Sequence, residues 1–143
     1  MTRSSDDGQE ASAGAAPVPA VTRMLGGTPP VIDLDAGTYE CDYVGLPTFV
    51  NPAGTVQGGM LGAMLDDVTA SLVTATLSRG EHCATLNLNL SFLRPALPGT
   101  IRGRARLVRR GRGVCHVEGE LTQNGKPVAT ATATCMVVQG KGG

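Results

Sequence analysis

From Val56 to Leu77 the apolar residues Leu61, Leu65, Val68 and Leu72 recur at steps of three and four, no proline follows the start, and Ser78-Arg79-Gly80 closes the run. That spacing puts all four on one stripe and predicts a single long helix. Beyond Gly80 the period falls to two. In "CATLNLNLSFLRPA" Leu86, Leu88, Leu90 and Phe92 alternate with other residues until Pro95 and Pro98-Gly99 break the run, which predicts a strand, expected near the centre of its sheet. Three more strands follow: "TIRGRARLVRR" as far as Gly111-Arg112-Gly113, "VCHVEGELTQ" as far as Asn124-Gly125, and "KPVATATATCMVV". Asn-Gly between two such runs is a tight hairpin signal, so an antiparallel meander is expected.

Upstream of the helix the pattern is weaker. "IDLDAGTYECDYVG" alternates intermittently and predicts a strand at Thr38–Val44, and Val21–Leu25 predicts a short helix before the breakers "GGTPP". Residues 1–20, "MTRSSDDGQEASAGAAPVPA", carry too few large apolar groups to offset the entropy of ordering, so a disordered tail is expected there and a single domain over 21–143. Strand, long helix and then four strands make an α+β protein with one helix laid on one sheet.

Composition narrows the chemistry. A length of 143 residues, 41% of them hydrophobic, fits one modest core. Twelve basic and twelve acidic side chains cancel, so no global field draws nucleic acid or an anionic membrane, and any anionic ligand must meet a local cluster. Two Tyr, two Phe and no Trp leave no stacking platform for single-stranded nucleic acid. Cys41, Cys83, Cys115 and Cys135 form no CxxC pair and only His82 and His116 accompany them, so neither a metal site nor a histidine-based triad is expected. The cysteines read as small core residues. Without a basic start followed by an apolar run, or any span of membrane length, the chain is expected to be cytoplasmic with reduced thiols.

The chemistry concentrates in "NPAGTVQGGMLGAMLDD", which begins as a turn at Asn51 and ends inside the helix on two carboxylates, Asp66 and Asp67. Gly58 and Gly59 fall at the helix start, where N–H groups lack partners and the helix dipole favours negative charge. A carbonyl oxygen can approach such a backbone closely. On the face of Asp66 helical steps place Gly59, Gly62, Ala63 and Ala70, small residues beside the core stripe. The plainer reading is that both carboxylates are solvated residues flanking an amphipathic helix.

This motif, followed by "TLNLNLSFLRPA", resembles the hotdog-fold acyl-CoA thioesterases of the phenylacetyl-CoA thioesterase (PaaI-like) type, over about Thr38 to Val138. That family carries His-Gly-Gly and an acidic helix residue nine positions after the His; here Gln57 occupies the His position and Asp66 stands nine later. The resemblance implies an acyl-CoA thioesterase in which the Gly58 N–H polarises the thioester carbonyl, Asp66 is general base or nucleophile, Asn51 positions the carbonyl or the water, and Thr85 adjoins the attacking water. Gln57 can hold hydrogen bonds but cannot carry a proton, so it preserves an orienting role and not a shuttling one. Asp67 has no counterpart in the motif and is expected to be structural or auxiliary.

Gly58 and Asp66 are eight residues apart, about 12 Å along a helix, whereas both must lie within roughly 3 Å of the reacting group or its water. Two antiparallel helices in a symmetric homodimer bring Gly58 of one chain to Asp66 of the other. The resemblance also allows a tetramer as a dimer of dimers. Coenzyme A enters as part of the substrate, and no further cofactor or metal is expected. Its phosphates suit the arginine forks of Arg109, Arg110 and Arg112 at one turn, with Arg94 near another sheet end, while Arg102, Arg104 and Arg106 read as the solvent face of a strand. Met60, Leu61 and Met64, with Leu93, are the expected lining of an acyl pocket. The competing readings are a non-catalytic acyl-CoA binding module and a hotdog hydratase or dehydratase, which needs a catalytic histidine that neither His82 nor His116 matches.

Overall fold

The computed structural model describes residues 18–140. Most of the expected tail, residues 1–17, lies outside the described residues. The elements run α1 (Ala20–Met24), β1 (Val31–Asp33), β2 (Thr38–Gly45), a 3-10 turn (Pro47–Phe49), α2 (Gly58–Ala75), β3 (Glu81–Phe92), β4 (Gly99–Arg110), β5 (Val114–Gln123) and β6 (Lys126–Gln139). One six-stranded antiparallel sheet, in the order β1-β2-β4-β5-β6-β3, wraps the single long helix α2. This is the hotdog arrangement implied by the resemblance. Among the described residues no helix is long and apolar enough to cross a membrane.

The predicted helical stripe is the core. Leu61, Leu65, Val68 and Leu72 are buried against Tyr43, Ile101, Ala105, Val117, Leu121 and the alanines of β6. Each such side chain contributes about 1.5–3 kcal/mol of burial free energy. Thr69, also buried, sends its hydroxyl to the Leu65 carbonyl at 2.8 Å, so no unpaired polar group interrupts the stripe. On the outer face Arg102, Arg104 and Arg106 pair with Asp42, Glu40 and Glu118 in exposed bridges, each worth little. β4, β5 and β6 form the expected meander, with Asn124 (φ 53°) and Gly125 (φ 77°) in the left-handed geometry of a tight hairpin. β1 is an element the sequence pattern did not reveal, because three exposed residues carry no measurable period.

One expectation is corrected. β3 is an edge strand and not a central one, since its neighbour is β6 and its other side is unpaired among the described residues. Its Leu alternation reflects packing on α2 from one side only. The strand also carries a bulge. Thr85 lies opposite Cys135 and Asn87 opposite Thr134, so Leu86 is an extra residue and is left 57% exposed. Because the phase of a strand has period two, Thr85 and Leu88 would point to opposite faces without that insertion. With it, Thr85, Leu88 and Leu90, opposite the buried Cys135, Ala133 and Ala131, share the helix-facing side.

Candidate functional site

The bulge delivers a hydroxyl to the helix. Thr85 Oγ1 donates to Asp66 Oδ1 at 3.0 Å, joining the two predicted residues that lie nineteen positions apart. Close approach of α2 to β3 permits this contact. A Cβ at Gly62, one turn before Asp66, would sit 2.8 Å from Leu90 Cδ1, so a larger residue there would make the end of the Leu90 side chain shift. Asp66 is half-buried and Thr85 exposed, which leaves the carboxylate open to a ligand or water on one side.

Asp67, one helical step on, is spent differently. Thr22 donates to its Oδ1 and Tyr43 to its Oδ2, both at 2.7 Å, so this carboxylate ties α1 and β2 to α2. Burial, then the neighbouring Cys41 and Asp67, push the Tyr43 hydroxyl above its ordinary pKa of 10.0 and keep it a donor. Its structural role agrees with its absence from the motif.

The helix start is fixed from two sides. The N–H of Val56 donates to the Ala96 carbonyl at 2.8 Å and that of Gln57 to Phe49 at 2.8 Å, while the Gln57 carbonyl accepts from Met60 at 2.9 Å and Leu61 at 3.2 Å. Gly58 and Gly59 follow with N–H groups that have no backbone acceptor among the described residues, as the first turn of a helix requires. The side chain of Gln57 is exposed and makes no cap bond to the helix, so its amide is free for a ligand. Asn51 is committed within its own loop: its Oδ1 accepts from Ala53 at 3.0 Å and Thr55 at 3.1 Å, and its Nδ2 donates to Thr55 Oγ1 at 2.9 Å. It holds the 51–55 turn that leads to the glycines.

A cavity of about 360 Å³ opens beside Gly58, walled by Val56, Leu61, Phe92, Leu93, Pro95 and Ala96. Leu61 therefore reaches the expected apolar pocket, although it is only 3% exposed, and Leu93 joins it. Met60 is half-buried against the core, and Met64 is wholly buried. Met64 is thus a core side chain and not pocket lining, because its helical position faces the sheet. Phe92, in the sequence pattern only one of the alternating apolar positions of β3, also stands beside Gly58, a placement no local pattern signals.

The arginine turn lies at the other end of α2. Arg110 Nε donates to Thr76 Oγ1 at 2.8 Å, just past the helix, and its guanidinium also reaches the Gly111 carbonyl, so Arg110 braces the fold. Arg109 and Arg112 are exposed and make no side-chain bond among the described residues. Arg94 is likewise used, donating to the Pro127 carbonyl at 2.8 Å. The turn is about 15 Å along the helix axis from Asp66 and about 27 Å from Gly58. Beneath Asp66, Cys83, Cys115 and Cys135 are free thiols; contact with Cys135, then burial, pushes the Cys83 thiol well above its ordinary range, while the same contact with Cys83 draws the Cys135 thiol down. Among the described residues no group of three or more His, Cys, Asp or Glu side chains is placed to hold a metal.

Comparison with known proteins adds a family to this geometry. The model of a family described as the acyl-CoA thioesterase N-terminal domain matches residues 46–136. A solved structure from Ralstonia eutropha, a phenylacetic acid degradation-related protein, is 67% identical, covers 90% of this chain and 97% of its own, and superposes with a TM-score of 0.84. A Bacillus halodurans protein solved with CoA is 25% identical over 94% of this chain and 89% of its own, with a TM-score of 0.75. A Haemophilus influenzae thioesterase at 20% identity, covering 82% of each chain with a TM-score of 0.75, shares the fold. No curated protein matches the chain.

Proposed function

The chain belongs to the acyl-CoA thioesterase family, and from that premise we propose that it hydrolyses an acyl-CoA at two equivalent sites, each assembled from two copies of the chain. The observation that carries this reading is the Thr85–Asp66 pair, 3.0 Å apart on the helix-facing side of an edge strand whose far end lies against Gly58. Thr85 and Phe92 are separated by roughly 20 Å of strand, so one chain holds the base and the oxyanion donor too far apart to serve one thioester. Antiparallel pairing of two β3 edges about a two-fold axis near Leu88 and Asn89 sets Phe92 and Gly58 of one chain opposite Thr85 and Asp66 of its partner. The same pairing satisfies a twelve-residue edge that would otherwise expose an unpaired row of backbone groups.

In this reading Asp66 takes a proton from a water that Thr85 helps to hold. The resulting hydroxide adds to the thioester carbonyl, and the oxygen that becomes negative is met by the partner chain's free N–H at the start of α2, with the helix dipole aligned to favour it. Collapse breaks the carbon–sulfur bond. The CoA thiolate leaves, recovers the proton from Asp66, and the free acid remains. Gln57, with its unengaged amide, orients the carbonyl, and Asn51 acts through the turn it closes. Arg109 and Arg112 are free cations, among the described residues, within reach of the phosphate end of a CoA whose thioester lies at Asp66, and the CoA-bound relative from Bacillus halodurans supports a ligand of that class.

Mixing two damaged chains tests the shared site. Asp66→Asn and Gly58→Pro, the latter removing the N–H, should each be nearly inactive alone. Refolded together, they should recover up to about half of the wild-type thiol release per heterodimer, because one of its two sites is then intact. No recovery in heterodimers shown to form, with Gly58→Pro shown to fold, would place the site within one chain. Binding of acyl-CoA without thiol release by the wild-type protein would favour the non-catalytic module instead.

A further inference from the structure

Only two phenylalanines occur in the chain, and one of them stands half-exposed at the helix start proposed to polarise the substrate. Phe92 is 53% exposed, yet its ring is not loose on the surface: a Cβ at Gly58 would lie 3.3 Å from ring Cζ and 3.4 Å from Cε1. The ring edge lies over the first turn, and a Cβ at Gly58 would make it give by a few tenths of an ångström. The ring also forms one wall of the cavity of about 360 Å³ beside that turn.

We propose that Phe92 selects the acyl group, admitting unbranched chains and rejecting acyl groups that are branched beside the carbonyl. This deepens the thioesterase reading and rests on its use of Gly58. A carbonyl oxygen accepting from the Gly58 N–H brings the next acyl carbon within a few ångströms of it, into space that the Phe92 ring edge already borders. A methyl branch at that carbon meets the ring edge, which must shift to admit it. Beyond the first carbons the acyl group runs into a cavity near the small end of the range of about 300–1,000 Å³ seen for ligand pockets. Leu61, Leu93 and Ala96 line the rest of it, and it is open on one side, so the restriction falls on branching beside the carbonyl and not on length. Phe92 is a specificity residue in this account and takes no part in proton transfer.

The test compares thiol release from acetyl-, butyryl-, isobutyryl- and decanoyl-CoA by wild type, Phe92→Ala and Phe92→Leu, each checked for unchanged oligomeric state by size exclusion. In the Ala variant kcat/KM for isobutyryl-CoA, relative to butyryl-CoA, should rise at least about tenfold, within the range one pocket contact controls, while decanoyl-CoA relative to butyryl-CoA should change little. The Leu variant should give a smaller rise in the same direction, and it carries the test alone if the Ala variant does not fold. A change by one common factor across the panel, with wild type active, overturns the assignment of Phe92 and leaves the thioesterase reading standing. Absence of thiol release from every acyl-CoA by wild type overturns both.

Discussion

Asp66 and Asp67 carry the same carboxylate on adjacent positions of one helix, and their surroundings differ in every respect that matters chemically. Asp67 turns toward α1 and β2, where two hydroxyls at 2.7 Å fill both of its oxygens. Asp66 turns toward the edge strand, where a single hydroxyl at 3.0 Å occupies one oxygen and leaves the other open. A step of about 100° around the helix separates a structural tie from a candidate base. A carboxylate with a hydroxyl on each oxygen is held in place as an acceptor, whereas one with an open oxygen beside a solvent-facing hydroxyl has room for a water to deprotonate.

The largest effect expected from this contrast is on turnover. Asp66→Asn should keep the fold and lower thiol release at least about a hundredfold, the usual worth of a positioned acid–base group, while Asp67→Asn should change it only a few-fold. The opposite ranking in a steady-state assay would reassign the two carboxylates. Stability should respond in reverse order. Removing the charge from Asp67 weakens two charge-assisted hydrogen bonds, so Asp67→Asn should lower the unfolding free energy by about 1–2 kcal/mol, and Asp66→Asn should cost much less. Denaturant titration of the two variants against wild type, with equal melts as the contrary outcome, decides it.

A smaller effect follows from Tyr43, the donor on the Asp67 side. Its folded pKa is raised above 10.0, chiefly by burial, so the folded state keeps a proton that the unfolded state gives up. The stability linked to that proton is fully present below pH 10 and declines as pH rises beyond it, by at most about 1.4 kcal/mol per pH unit for one group. Tyr39, raised by burial in the same way, adds to the decline. Tyr43→Phe should be less stable near neutral pH but should show a shallower alkaline loss, measured as unfolding free energy between pH 9 and 11. An unchanged slope would mean that Tyr43 ionises freely in the folded protein.

Much of this architecture is legible in the chain because it is written locally. The stripe Leu61, Leu65, Val68 and Leu72 specifies α2 and its buried face, and Asn124-Gly125 specifies the β5–β6 turn, since a period of 3.6 or a demand for positive φ needs no distant partner. Gly58 at the helix start and the small residues around Asp66 are readable for the same reason. Which of two neighbouring carboxylates faces the edge strand is not visible in the pattern; the resemblance to known thioesterases pointed to Asp66, and the Thr85 contact supports that choice.

Other features depend on pairing between residues far apart in sequence. The alternation of Leu86, Leu88, Leu90 and Phe92 implies an unbroken strand with Leu86 facing the core, but the bulge opposite Cys135 and Thr134 ejects Leu86 and turns Thr85 inward. No local propensity marks it, because a bulge exists only relative to its partner strand. The same holds for the edge position of β3 and for the ring of Phe92 against Gly58. Periodicity and turn chemistry determined which segments are helix and strand and which helix face is buried. Strand order, bulge phase and the pairing of Asp66 with Thr85 were decided only by the tertiary structure, where contacts across β6 and α2 select among arrangements that the local pattern leaves equivalent.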